Sequence, residues 1–447
     1  MTPDDLLPAA LDRARGGALV VLSVPAPDVP VARLLDAVPE GDASLFDPHG
    51  GASAISVAGR GRALHLTGPS LAALRPAVAR ALADIAVVAA PGADASVRAL
   101  GGQSFDPRRP LDGDDAWRAF PAASLTVPRW ALVRADGRAS LQVAFTRGDA
   151  PDANELAAVR RALEVFAPDV GRAPDVTALP GDRAAWEALV RDALAVMREG
   201  RAEKLVGARA AELRADAPWR LADVLARLDA PEGCARFAFE HHGAAFVGAS
   251  PERLVARNGE IARADALAGS LPRDAAHDAR DVRALLDSGK DRREHELVVA
   301  GIHDALGPLC ESVDAPAAPV VRTLARLHHL WTPVRARLRR DEPAHVLDLV
   351  AALHPTPALG GAPRDVALDW IAHREPRPRG WYAAPVGWCD AAGDGEFFVA
   401  IRAGVLRGER AWLWAGAGLV PGSDPAREWD ETEAKLAAMR AALGDRR

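Results

Sequence analysis

At 447 residues the chain can form one large unit or two to three ordinary domains, and 49% hydrophobic with 26% charged residues is a globular composition. A formal net charge of −6 with interspersed signs argues against a nucleic-acid surface, and no stretch approaches the roughly 18 uninterrupted apolar residues of a membrane helix. Neither nucleic acid nor membrane is an expected partner. Met1 to Ala10 have no basic segment followed by an apolar core, so a cytoplasmic location is expected. Cys234, Cys310 and Cys389 have no C-x-x-C spacing and read as buried free thiols.

Residues 1–180 alternate short strands with Ala/Leu-rich helices, punctuated by turns at Pro91-Gly92 and Gly101-Gly102. The segment 93–115 reads as a surface excursion, and 130–133 and 141–145 as strands. Over 182–200, Trp186, Leu189, Val190, Ala193 and Met197 recur at helical spacing, and Gly200 suits a stop. A strand over 204–213 follows, then a hairpin of 236–240 and 244–249 around His242-Gly243. Helices are expected over 288–306 and 425–443, the second capped by Ser423 or Asp424 with Pro425 in its first turn.

Both helices carry acids. Asp291 and Glu294 share a face, as do Glu428, Glu431 and Lys435. Two such faces could hold a hard cation such as magnesium between carboxylates, or simply be solvated acidic faces; spacing alone leaves both open.

Eight segments then occur in a recognisable order: EKLVGARA from Glu203, FVGASPERLVA from Phe246, ALAGSLPR from Ala266, SGKDRREHELV from Ser288, LHPTPALGGAPR from Leu353, RGWYAAPVGW from Arg379, VAIRAG from Val399 and AGAGLVPGSDPAREWDETEAK from Ala415. This string resembles the chorismate-utilising enzymes: isochorismate and salicylate synthases and the large subunits of anthranilate and aminodeoxychorismate synthases. GGQSFDP from Gly101 and the later PRWALVR extend the likeness more faintly over 1–180, with 181–447 as the chorismate-binding region of one structural unit. The implied fold is α/β (α+β), with two packed, twisted sheets, outer helices and a deep cleft.

The resemblance also implies a site. Lys204 stands at the family's general base and Glu252 at its general acid, while Glu294 and Glu431, with Asp291 and Glu428 beside them or acting through water, stand at its magnesium position. Arg402, Tyr382, Gly416, Gly418, Gly269, Ser270, His329, Lys435 and Ala358 are the implied substrate-binding set. Chorismate is a dianion, so cations and N–H donors are what it demands. A hard magnesium site disfavours imidazole, which gives His295 and His354 packing or positioning roles.

Within the family, Ala358 and Lys204 point to isochorismate synthase, the reaction that uses water rather than ammonia. No amidotransferase subunit is then expected, and a monomer is. Its product would feed menaquinone, siderophore or salicylate synthesis. Salicylate synthase is the alternative enzyme reading, and a non-catalytic chorismate-binding protein the alternative of another class. Gly207, Ser270 and Ala384 depart from the common family residues.

Overall fold

In the computed structural model, residues 3–49, 54–165, 170–273, 276–324 and 327–445 are described. Their strands form a 13-stranded and a 10-stranded sheet. The first runs from Val176–Ala178 and Lys204–Ala215 through Arg410–Leu419, Ala403–Arg407 and the hairpin Ala235–His241/Ala244–Ser250 to strands of the amino-terminal half. The second contains Leu327–Leu338, Ile261–Pro272, Arg253–Asn258, Gly395–Val399 and Pro385–Asp390, and continues into Arg98–Gln103 and Ala123–Val127. Side chains of the two sheets meet in one core, as where Phe46 of the first stands edge-on to Phe398 of the second at 5.8 Å.

The division at residue 180 is one of recognisability. Ala43–Pro48 pairs with Ala235–His241 in one sheet, and Arg98–Gln103 pairs with Pro385–Asp390 in the other. Each half completes sheets begun by the other.

Local chemistry sets the element boundaries. Asp182 caps Arg183–Arg198 by accepting from Ala185 N, and Gly200 adopts φ 72° just beyond it. Ser288 caps Gly289–Leu306, while Asp424 caps Pro425–Leu443 through Ala426 N and Arg427 N. The hairpin turn places His242 and Gly243 at φ 47° and 76°, the left-handed pair that a two-residue connection requires.

One expectation is corrected. Gly101-Gly102 is no turn, because Arg98–Gln103 is a fully buried strand, and within 93–115 Phe105 and Leu111 also enter the core, whereas most of 107–115 lies at the surface. A Cβ at Gly101 would stand 1.9 Å from Ser124 O, so that glycine permits close strand approach. Sequence alone does not separate this use of paired glycines from turn punctuation. The three cysteines are buried and free. No helix of the described residues is long and apolar enough to cross a membrane.

Candidate active site

Lys204 opens the strand Lys204–Ala215 and is completely buried. Burying an ammonium alone costs several kcal/mol, so a counter-charge is required. Glu294 provides it from the helix Gly289–Leu306, with Oε1 2.9 Å from Lys204 Nζ, close enough for an ion pair but not aligned as a hydrogen bond. Gly418 makes this approach possible: a Cβ there would fall 2.3 Å from Glu294 Oε1 and 3.2 Å from Lys204 Cε.

Glu294 and Glu431 line a cavity together with Glu252, Arg402, Tyr382, Lys435, His329, Gly269, Ser270, Ala358, Gly416 and Gly418. The structure thus gathers one predicted acid, two predicted metal ligands and the whole implied substrate-binding set. Asp291 and Glu428 stand behind that wall. Asp291 accepts from the Ser288 hydroxyl, and Glu428 from Lys290 Nζ at 3.1 Å.

Glu252 lies in the turn between Ala244–Ser250 and Arg253–Asn258, only 4% exposed. Burial, helped by the Asp265 carboxylate and opposed by Lys204, Lys435 and Arg402, pushes its carboxyl up to about 8. It is therefore protonated at neutral pH and able to donate.

Arg402 immediately precedes the strand Ala403–Arg407, and both Arg402 and Ala383 adopt left-handed backbone, at φ 52° and 59°. Such conformations are uncommon for residues with a Cβ and persist where surrounding packing imposes them. Arg402 Nη2 is 3.2 Å from His329 Nε2, and His329 Nδ1 is 2.9 Å from Ser270 Oγ. A guanidinium only donates, so Nε2 accepts, leaving the proton of the neutral ring on Nδ1. Burial first, then Arg402 and Lys435, hold His329 well below the usual histidine range. Burial likewise pushes Tyr382 up to about 12, so its hydroxyl stays protonated as a donor.

Gly416 and Gly418 sit opposite Ala208 and Val206 in the ladder. Ala208 N donates to Glu375 and Val206 N to Gly360 O, so the groups of these two residues point away from the glycine strand. By the alternation of antiparallel pairs, the glycine N–H groups also face outward from that pairing, past Ala403 where the next strand ends its pairing at Trp414. That orientation suits recognition of an anion.

The acids form an oxygen-only donor set in a partly desolvated place. Burial raises Asp291 and Glu428; Glu294 and Glu431 raise Asp291 further, and Glu431 raises Glu428. Oxygen donors of this kind are the type that a hard cation takes. In the structure itself the charge is offset by lysines: Lys204 on Glu294, Lys290 on Glu428 and Lys435 on Glu431 at 2.6 Å. Among the described residues no three His, Cys, Asp or Glu side chains converge at ligating distance. His295 bonds Thr332 Oγ1 at 2.7 Å and His354 bonds Phe105 O at 3.0 Å, so both imidazoles are engaged in packing contacts.

Sequence reasoning left one buried pair without a role. Arg379 lines the cavity and binds Glu375, Leu359 O and Val206 O, while Glu375 accepts from Ala208 N. The pair ties the loop bearing Ala358 to the strand bearing Lys204. Its spacing of four was visible, but the backbone groups that it joins are brought together by the fold.

A profile of the chorismate binding enzyme family matches residues 7–444. The salicylate biosynthesis isochorismate synthase of Pseudomonas aeruginosa is 44% identical over 77% of this chain and 74% of its own length. The isochorismate synthase MenF of Bacillus subtilis is 38% identical over 78% and 75%. Among solved structures, the menaquinone-specific isochorismate synthase MenF from Escherichia coli superposes with a TM-score of 0.78 at 25% identity, covering 98% of this chain and 99% of that one. With two sheets joined as described and a family match over nearly its whole length, the chain belongs to the chorismate binding enzymes.

Proposed function

We propose that the chain is an isochorismate synthase, converting chorismate to isochorismate. The observation that carries this reading is a cavity holding Glu252, an acid pushed up to about 8, with the buried amine of Lys204 2.9 Å from Glu294 in its wall. Water attacks ring carbon 2 and gives up a proton to Lys204, the ring double bonds shift, and the carbon 4 hydroxyl leaves as water with a proton from Glu252. One water enters and one leaves, so the reaction is an isomerisation. Arg402, the Tyr382 hydroxyl and the Gly416 and Gly418 N–H groups face the substrate carboxylates, with His329 and Ser270 fixing Arg402. Glu294 and Glu431, with Asp291 and Glu428 behind them, would hold magnesium, which when bound supplies positive charge to the ring carboxylate.

Ala358 gives the wall a small side chain without a hydroxyl, so nothing there holds an amine or reorganises the ring for elimination. The names of the relatives agree with this choice, and the product would feed menaquinone, siderophore or salicylate synthesis. The working unit is proposed as a monomer in the cytoplasm, without an amidotransferase. Purified protein given chorismate and magnesium should release isochorismate, with little salicylate, pyruvate or, in high ammonium, aminated product, when separated chromatographically. Salicylate as the main product would overturn the assignment.

A further inference from the structure

Glu252 is held from both chain neighbours by guanidinium groups that share one buried carboxylate. Arg322 Nη1 donates to Pro251 O at 2.9 Å and stands 3.6 Å from Asp265 Oδ2. On the other side, Arg253 Nη1 is 3.8 Å from the same oxygen, and its Nε donates to Glu396 at 2.7 Å. Both guanidinium planes rest on aromatic rings: Arg322 on Trp331 at 4.2 Å and Arg253 on Phe398 at 5.4 Å. Asp265 is 6% exposed in the strand Ile261–Pro272, whose later residues Leu267, Gly269 and Ser270 line the cavity. A carboxylate with such little solvent access is expensive.

We propose that Asp265 and Arg322 are positioning residues for the acid half of the reaction, Arg322 fixing the turn that carries Glu252 and Asp265 placing a carboxylate against the guanidinium groups on either side of that turn. Neither residue lines the cavity, so both act through Glu252. The proposal rests on Glu252 being the acid.

The groups facing Glu252 are Asp265 from its strand, Lys204 from the neighbouring sheet, Lys435 from the last helix, Arg402 ahead of its strand and the Tyr382 hydroxyl. Of these, Asp265 supplies the negative charge against three cations. Removing it leaves the cations to favour the carboxylate form, so Glu252 loses its proton at lower pH. The alkaline limb of the kcat profile must then move toward acid.

The test is the kcat and KM pH profile of Asp265→Asn, Asp265→Glu, Arg322→Lys and Glu252→Gln, each at saturating chorismate and magnesium with a thermal melt alongside. Asp265→Asn should move the alkaline limb down by about one unit, the size expected for loss of one nearby charge, while Asp265→Glu keeps it near the wild-type position. Arg322→Lys should lower kcat about tenfold with KM little changed, because a lysine cannot hold the turn with a planar fork. An unmoved limb in folded Asp265→Asn overturns the electrostatic role, and wild-type kcat in Arg322→Lys overturns the positioning role. Should Asp265→Asn not fold, a limb displaced in Asp265→Glu by as much as the neutral variant was expected to show also overturns the charge argument. Glu252→Gln separates the two layers: loss of its alkaline limb upholds the acid whatever Asp265 does, whereas a retained limb removes the acid assignment and this proposal with it.

Discussion

At the level of single residues, Glu252 shows how burial changes the chemistry of an ordinary carboxyl. An unshifted group would be protonated in well under about 1% of molecules at pH 7, whereas at about 8 the fraction is about nine-tenths. With Glu252 as the proposed acid, turnover should persist through neutral pH and fall as pH rises through about 8. Glu252→Gln should reduce kcat by about 100-fold and abolish that alkaline fall, both read from initial rates across pH. Lys204→Ala should lose a similar factor in kcat with a smaller change in chorismate affinity, provided that a thermal melt shows the protein folded. Gly418→Ala places a methyl against Glu294 and Lys204, so it should impair magnesium-dependent turnover although the new group is the smallest possible side chain.

At the level of elements, two capped helices deliver the acids. Glu294 on Gly289–Leu306 and Glu431 on Pro425–Leu443 reach the cavity because each helix packs on a strand of a different sheet, Ile261–Pro272 and Arg410–Leu419 respectively. Glu294→Gln or Glu431→Gln should weaken magnesium-dependent activity by more than about tenfold, the loss of one charged ligand, seen as a shifted magnesium titration. Glu409→Gln, in the exposed turn between Ala403–Arg407 and Arg410–Leu419, should leave it unchanged. Asp424→Ala removes a cap that accepts from Ala426 N and Arg427 N and should cost about 1 kcal/mol in denaturant unfolding. The cap variant therefore separates a stability effect from a ligand effect on the same helix.

For the whole molecule, residues 181–447 share both sheets with the amino-terminal part of the chain. Ala235–His241 pairs with Ala43–Pro48, and Pro385–Asp390 pairs with Arg98–Gln103. A fragment of 181–447 would expose three unpaired strand edges, including that of Lys204–Ala215 left by Val176–Ala178, and lose Phe46 from Phe398, Trp117 from Trp414 and Phe120 from Trp381. That fragment should show no cooperative thermal transition by circular dichroism and no turnover. A cooperatively melting, active fragment would show that the amino-terminal half is dispensable.

Sequence by itself determined what depends on near neighbours along the chain: the helix caps at Asp182, Ser288 and Asp424, the hairpin turn at His242-Gly243, and the helical spacing that joins Asp291 to Glu294 and Glu428 to Glu431. Its ordered motifs also named the residues that the cavity gathers. Tertiary structure decided what depends on groups distant in sequence. Lys204 reads only as the first residue of a strand until Glu294, ninety positions later, is brought against it inside the core. Gly101 and Gly102 read as a turn until the close approach of two strands shows what the missing side chains permit. Asp265 carried no signal at all, because its charge acquires meaning from Arg322, Arg253 and Glu252, which two other parts of the chain bring to it. Periodicity records how an element meets itself and its solvent, whereas the protonation of a buried acid is set by the field of everything packed around it.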